Sequence, residues 1–138
     1  ERARAAPAPS DLGRLRSVLC LARPPRFGAE PSLEVRDPDL NEPQRAAVRR
    51  ALAAEDVALI HGPPGTGKTR TLVEVIRQAV ARGQRVLATA ASNVAVDNLG
   101  ERLVAAGVDV VRLGHPARIA PALEAHGLDA LLEQSEAW

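Results

Sequence analysis

Apolar positions along this chain change period several times, and the changes mark out its elements. Residues 57–60, Val57-Ala58-Leu59-Ile60, form a short unbroken apolar run, the pattern of a strand buried on both faces. Residues 70–82 place Leu72, Val73, Val75, Ile76, Ala79 and Val80 at helical spacing. Gly83 suits the end of that helix. Residues 85–90 are a second apolar run and predict a second strand. Residues 92–106 return to helical spacing, with Ser92 or Asn93 as the cap. Residues 110–113 predict a short third strand, and residues 121–136 a last helical region cut by Gly127. Strand, helix and strand in this order make a right-handed parallel crossover. The expected fold class is α/β, a parallel sheet flanked by helices.

The first third of the chain is patterned differently. Residues 1–9 are Ala, Arg and Pro with one Glu and read as disordered. Ser10-Asp11 caps a predicted helix over residues 12–22. Its apolar stripe is Leu12, Leu15, Val18 and Leu19, with Arg14, Arg16 and Arg23 facing out and Pro24-Pro25 ending it. Cys20 sits among apolar neighbours and reads as a packed core thiol. Residues 26–39 are rich in Pro, Gly and charge and read as a linker with a short strand at 33–35. Its arginines suit either a solvated arm or phosphate contacts. Asn41 caps a helix reaching residue 54, with Pro43 in its first turn and Ala47, Val48, Ala51 and Leu52 on the buried side.

Composition narrows the picture only a little. The chain has 138 residues, 46% of them hydrophobic, and a formal net charge of +1. That is one domain's worth with material for a core, and no general case for a nucleic-acid or membrane partner. The single cysteine excludes an internal disulfide framework. No apolar run reaches the roughly 18 residues that span a bilayer, and no apolar signal core opens the chain. An intracellular protein is expected.

The chemistry lies between the first predicted strand and its helix. His61-Gly62-Pro63-Pro64-Gly65-Thr66-Gly67-Lys68-Thr69 fits G-x-x-x-x-G-K-S/T, the phosphate-binding loop. Its position between strand and helix is the context the motif requires. Glycines 62, 65 and 67 permit backbone conformations a side chain forbids, so amides of this loop point inward to cradle phosphate oxygens. The helix start adds the positive end of its dipole. Lys68 is positioned for the β and γ phosphates of ATP, and Thr69 for a Mg²⁺ ion. Lys68 is also the only lysine among 18 Lys+Arg, a compact point charge kept where a phosphate favours one. In parallel sheets ligands sit beyond the carboxyl ends of the strands, so the segment after Ala90 is expected on the same rim as the loop. Two positions keep two readings. Gln44 is either the return half of a capping box or an amide reading the edge of adenine. Ser92 and Asn93 are either a helix cap or contacts to a nucleic-acid phosphate.

A second carboxylate, needed to hold Mg²⁺ and polarise water, has no candidate here. Asp109 precedes its strand, and Asp129 and Glu133 fall in a helical stretch. With three strands, this points to a fragment of a longer protein that binds nucleotide weakly and turns it over poorly. Another phosphate-loop enzyme such as a small-molecule kinase is a competing reading, although no lid or acceptor site is found. A non-catalytic nucleotide-binding module is another.

Three stretches taken together, Leu40-Asn41-x-x-Gln44, Leu59 to Thr69, and Ala91-Ser92-Asn93-Val94-Ala95-Val96-Asp97-Asn98-Leu99-x-Glu101-Arg102-Leu103, resemble superfamily 1B helicases. Arg112-Leu113-Gly114-His115-Pro116-Ala117-Arg118 places the resemblance on the branch of the nonsense-mediated-decay and immunoglobulin-mu-binding (SMUBP-type) helicases. It covers residues 40–138, and residues 12–27 look like the helical stalk of an accessory β-barrel. Pro43 stands where the family usually has a small polar residue, and Ala91 replaces a proline. The resemblance implies residues 1–39 as arm, stalk remnant and linker, and residues 40–138 as the first part of a RecA-like ATP-binding domain. It implies an ATP-driven 5′-to-3′ translocase on single-stranded DNA or RNA, a monomeric motor of the nucleus or cytoplasm. By matching positions, Gln44 reads adenine. Gly62, Pro63, Pro64, Gly65, Thr66, Gly67, Lys68, Thr69 and Arg70 hold the triphosphate, with Thr69 on Mg²⁺. Lys68 and Thr69 serve catalysis, and Ser92 and Asn93 touch the nucleic-acid backbone. The second carboxylate, an arginine finger and a second motor domain are expected outside this chain.

Overall fold

The computed structural model describes residues 11–135. The expected disorder of residues 1–9 and the Ser10 cap lie outside them; the last helix, expected to reach residue 136, ends at Gln134. The chain divides into two compact units, Glu1–Val75 and Ile76–Trp138. Among the described residues run five α-helices: α1 (Asp11–Leu19), α2 (Glu42–Ala53), α3 (Lys68–Ala81), α4 (Asn93–Ala105) and α5 (Leu128–Gln134). Two 3₁₀ turns, Pro116–Arg118 and Pro121–His126, precede α5, and Gly127 separates the second turn from α5 where the sequence predicts the break.

In the first unit α1 stops at Leu19, three residues short of expectation, because the chain turns through Leu21 at φ 59°. Cys20 lies in that turn and is exposed, not packed in a core. The helix is also rotated from its predicted stripe. Val18 and Gly13 are buried, while Leu12 and Leu19 are exposed. Arg14 faces inward and grips Asp56 with two hydrogen bonds of 2.7 and 2.5 Å. Asp56 also accepts from the Arg26 amide at 2.8 Å. A bidentate carboxylate–guanidinium pair thus overrides the simple apolar stripe. Next to it the Arg50 guanidinium stacks on the Phe27 ring at 3.4 Å.

Helix α2 starts as predicted. Asn41 accepts from the Gln44 amide at 3.0 Å, and the Gln44 side chain accepts from the Asn41 amide at 2.9 Å, a complete capping box. Pro43 fits the first turn. The core of this unit is built on Val18, Leu40, Val48 and Ala53. Helix α3 buries a polar side that periodicity does not show: Thr71, Glu74 and Gln78 are buried, while Leu72 and Val80 are exposed. Glu74 is fully buried and accepts from the Arg36 amide at 3.0 Å, which ties the linker to the helix.

The segments predicted as strands take no regular secondary structure, and among the described residues they form no ladder. Two isolated bridges are present, antiparallel at Phe27–Ala54 and parallel at Arg112–Gly127. Leu59 is 91% exposed and Leu87 is 79% exposed, so residues 57–60 are not a buried strand here. Parallel strands are stable when both faces are covered and neighbours fill the edges, and these segments lack that cover. In the second unit Leu99 and Leu103 of α4 are buried, and so is Leu123. The 3₁₀ turn Pro121–His126 contacts both α4 and α5. A cavity of about 710 Å³ opens beside residues 84–90 and 108–113, lined by Ile76, Val86, Val96, Leu99 and Val110 among others.

Candidate functional site

The loop from Gly62 to Lys68 is shaped by its glycines. Gly65 and Gly67 have φ of 81° and 79°, values that side chains rarely adopt. At Gly67 a Cβ would also lie 2.6 Å from Gln44 Nε2, and at Gly62 it would lie 2.6 Å from Thr66 Oγ1. Helix α3 begins at Lys68, so unpaired amides of its first turn face the loop.

The polar groups of the loop converge. Lys68 Nζ donates to the carbonyls of Gly62 at 2.6 Å and Pro63 at 2.8 Å. Thr66 Oγ1 donates to the Pro63 carbonyl at 2.8 Å. Gln44 Nε2 donates to the Thr66 carbonyl at 3.0 Å, so the residue that caps α2 is also bound to the loop. Both readings of Gln44 therefore begin from one geometry: its oxygen caps the helix while its NH₂ group touches the phosphate loop. Pro63, Pro64, Gly65, Thr66, Lys68 and Thr69 are exposed and open to a ligand. The donor set fits a polyphosphate: amides beside positive-φ glycines, an ammonium and a helix N-terminus. The Thr69 hydroxyl is a hard oxygen of the kind Mg²⁺ prefers.

Arg70 is engaged elsewhere. Its Nε pairs with Asp37, and its Nη2 donates to Asp37 Oδ1 at 2.7 Å and to Asp39 Oδ2 at 2.6 Å. These hydrogen bonds, Asp37 first, hold the guanidinium well above its ordinary pKa. The pair fastens the linker to the first turn of α3. The spacing of Asp37, Asp39 and Arg70 gave no sign of it, because the partners lie some thirty positions apart.

Ser92 and Asn93 lie in the second unit. Ser92 caps α4, its hydroxyl accepting from the Ala95 amide at 3.3 Å. Asn93 is exposed and accepts through Oδ1 from Arg112 Nη2 at 3.3 Å. Arg112 and Asp97 are both buried and joined at 2.7 Å. Sequence reasoning assigned neither of them a role. The signal available was that Asn93 and Asp97 are four apart on a helix and share a face.

A strand-like run, a glycine loop and a helix opening on lysine define a phosphate-loop NTPase. Comparison with known proteins agrees. The family model described as AAA domain matches residues 39–137. Over 93 residues, 67% of the chain, it is 54% identical to DNA polymerase alpha-associated DNA helicase A of Schizosaccharomyces pombe, covering 14% of that protein. It is 52% identical over 106 residues to DNA-binding protein SMUBP-2 of Rattus norvegicus, covering 77% of the chain and 11% of that protein. It is 51% identical over 109 residues to an uncharacterized ATP-dependent helicase of Methanocaldococcus jannaschii, covering 77% of the chain and 16% of that protein. The chain belongs to this AAA domain family of phosphate-loop NTPases and, within it, to the SMUBP-2-like superfamily 1B helicases. It spans 11 to 16% of the length of these relatives.

Proposed function

We propose that this chain is the ATP-binding portion of a 5′-to-3′ helicase that couples ATP hydrolysis to movement along single-stranded DNA or RNA. The observation that carries the reading is the loop itself: two positive-φ glycines, Lys68 at the helix start, and Gln44 hydrogen-bonded to the loop carbonyl at Thr66. Helicase names among the relatives support the polymer substrate. In this reading Lys68 leaves the carbonyls of Gly62 and Pro63 to bind the terminal phosphates. Gly62 to Thr69 hold the triphosphate, and Gln44 recognises adenine. Thr69 helps hold Mg²⁺, which neutralises phosphate charge when bound. Residues 57–60, 85–90 and 110–113 become strands of a RecA-like parallel sheet in the full-length protein. The second carboxylate and arginine finger come from the rest of that protein, which works as a monomeric, intracellular motor.

The test is ATP turnover by the full-length protein with and without single-stranded oligonucleotides. Polymer-stimulated hydrolysis is expected. Lys68→Ala should abolish it with circular dichroism unchanged, and near wild-type hydrolysis in that variant refutes the role of the loop. Stimulation by a small acceptor instead of a polymer would indicate a kinase.

A further inference from the structure

The first turn of α4 rests on a buried guanidinium. Arg112 is 6% exposed. Its Nε donates to Asp97 Oδ1 at 2.7 Å, its Nη1 to the Leu113 carbonyl, and its Nη2 to Asn93 Oδ1 at 3.3 Å. The other Asp97 oxygen accepts from the Ala120 amide at 3.2 Å. The Arg112 backbone is held in both directions. Its amide donates to the His126 carbonyl at 2.7 Å, and its carbonyl accepts from Leu128 at 3.2 Å. The guanidinium therefore has a fixed position, set by α4 on one side and by the turns before α5 on the other.

A guanidinium has donors only. An asparagine amide beside it must present oxygen, and its NH₂ end is then the one offered outward. Asn93 is exposed, and the amides at a helix start favour an anion. A phosphodiester oxygen is an acceptor, so it needs the NH₂ end; the reversed amide would set oxygen against oxygen.

We propose that Arg112 is a positioning residue. By holding Asn93 Oδ1, it orients the amide so that the NH₂ group meets the phosphodiester backbone of single-stranded nucleic acid. The inference rests on the reading that Asn93 contacts that backbone.

The experiment is a double-mutant cycle on the full-length protein. It measures affinity for a labelled oligothymidylate and its oligouridylate counterpart, with ATP affinity measured in parallel. Asn93→Ala tests the underlying contact; wild-type binding by that variant sinks the contact itself. Arg112→Lys keeps charge and loses the fork. Asp97→Asn loosens the guanidinium while keeping side-chain volume. Each is expected to weaken polymer binding about fivefold in the wild-type background and hardly at all when Asn93→Ala is present. ATP affinity should stay constant. The slope of log affinity against log salt should also stay constant, because a lost direct phosphate contact would lower it by about 0.7. If Asn93→Ala weakens binding while Arg112→Lys and Asp97→Asn bind like wild type, the positioning role is wrong and the contact survives. An equal loss in both backgrounds also overturns it, since that would mark a general structural effect. Should both buried variants fold poorly, Asn93→Asp decides the matter. It leaves the Arg112–Asp97 pair intact and sets an oxygen where NH₂ was, so it should bind several-fold worse than Asn93→Ala. Equal binding by the two overturns the proposal. The arm in which the effect appears, DNA, RNA or both, identifies the polymer.

Discussion

Gln44 uses both ends of its amide inside the protein. The oxygen accepts from Asn41 and the nitrogen donates to Thr66. The two jobs separate chemically. Gln44→Glu keeps the acceptor for the helix cap and loses the donor to the loop. We expect the melting temperature to change little, because a cap is worth about 1 kcal/mol and remains. Nucleotide affinity should fall about fivefold to tenfold, the effect of one hydrogen bond lost in a binding site. Titration with a fluorescent ATP analogue checks this; unchanged affinity would make Gln44 a cap and nothing more. Gly67 joins the same contact from the other side. A Cβ there meets Gln44 Nε2 and must adopt φ near 79°. Gly67→Ala should therefore reduce nucleotide affinity more than tenfold, since strain of about 1–3 kcal/mol falls on the loop itself.

Elements here are joined by charged pairs as much as by apolar contact. The Arg14 guanidinium and the Arg26 amide hold the Asp56 carboxyl below its ordinary 3.8. A depressed carboxyl contributes stability above its unfolded value and loses it as pH falls through its folded value. Asp56→Asn should thus lower the melting temperature at neutral pH and flatten its decline in acid, between about pH 5 and 2. A parallel decline for both proteins would remove Asp56 from the acid response. In the second unit Gly100 of α4 faces Leu123, which has no exposed surface. A Cβ at Gly100 would lie 2.8 Å from Leu123 Cδ1, so Gly100→Ala should destabilise by about 1–3 kcal/mol on denaturant unfolding. Much of this was open to reading from sequence. The cap at Asn41, a helix beginning at the end of the glycine loop and the break at Gly127 all depend on a few adjacent residues. Arg14–Asp56, Arg70–Asp37 and Arg112–Asp97 were not legible, because each joins residues at least 15 positions apart. Local periodicity carries no information about such pairs. The rotation of α1 and the exposed Cys20 follow from the same blindness.

At the scale of the whole molecule, the segments predicted as strands raise the question the sequence answered too quickly. Their apolar runs have the composition of buried parallel strands, yet Leu59 and Leu87 are exposed and no ladder forms among the described residues. Periodicity reports what a segment can bury, and a parallel strand buries it only between neighbours. The chain spans 11 to 16% of the length of its relatives, and a protein of their length has ample material to supply them. Hydrogen exchange tests this directly, because an amide is protected only when it is bonded or excluded from water. Amides of Val86, Leu87 and Thr89 should exchange rapidly in the 138-residue chain and about a hundredfold more slowly in the full-length protein. Amides within α4, already bonded in the helix, should change far less. Equal exchange of residues 86–89 in both forms would mean that these segments do not enter a ladder. The parallel sheet would then have to be abandoned, while the phosphate loop, whose hydrogen bonds lie within the first unit, would stand.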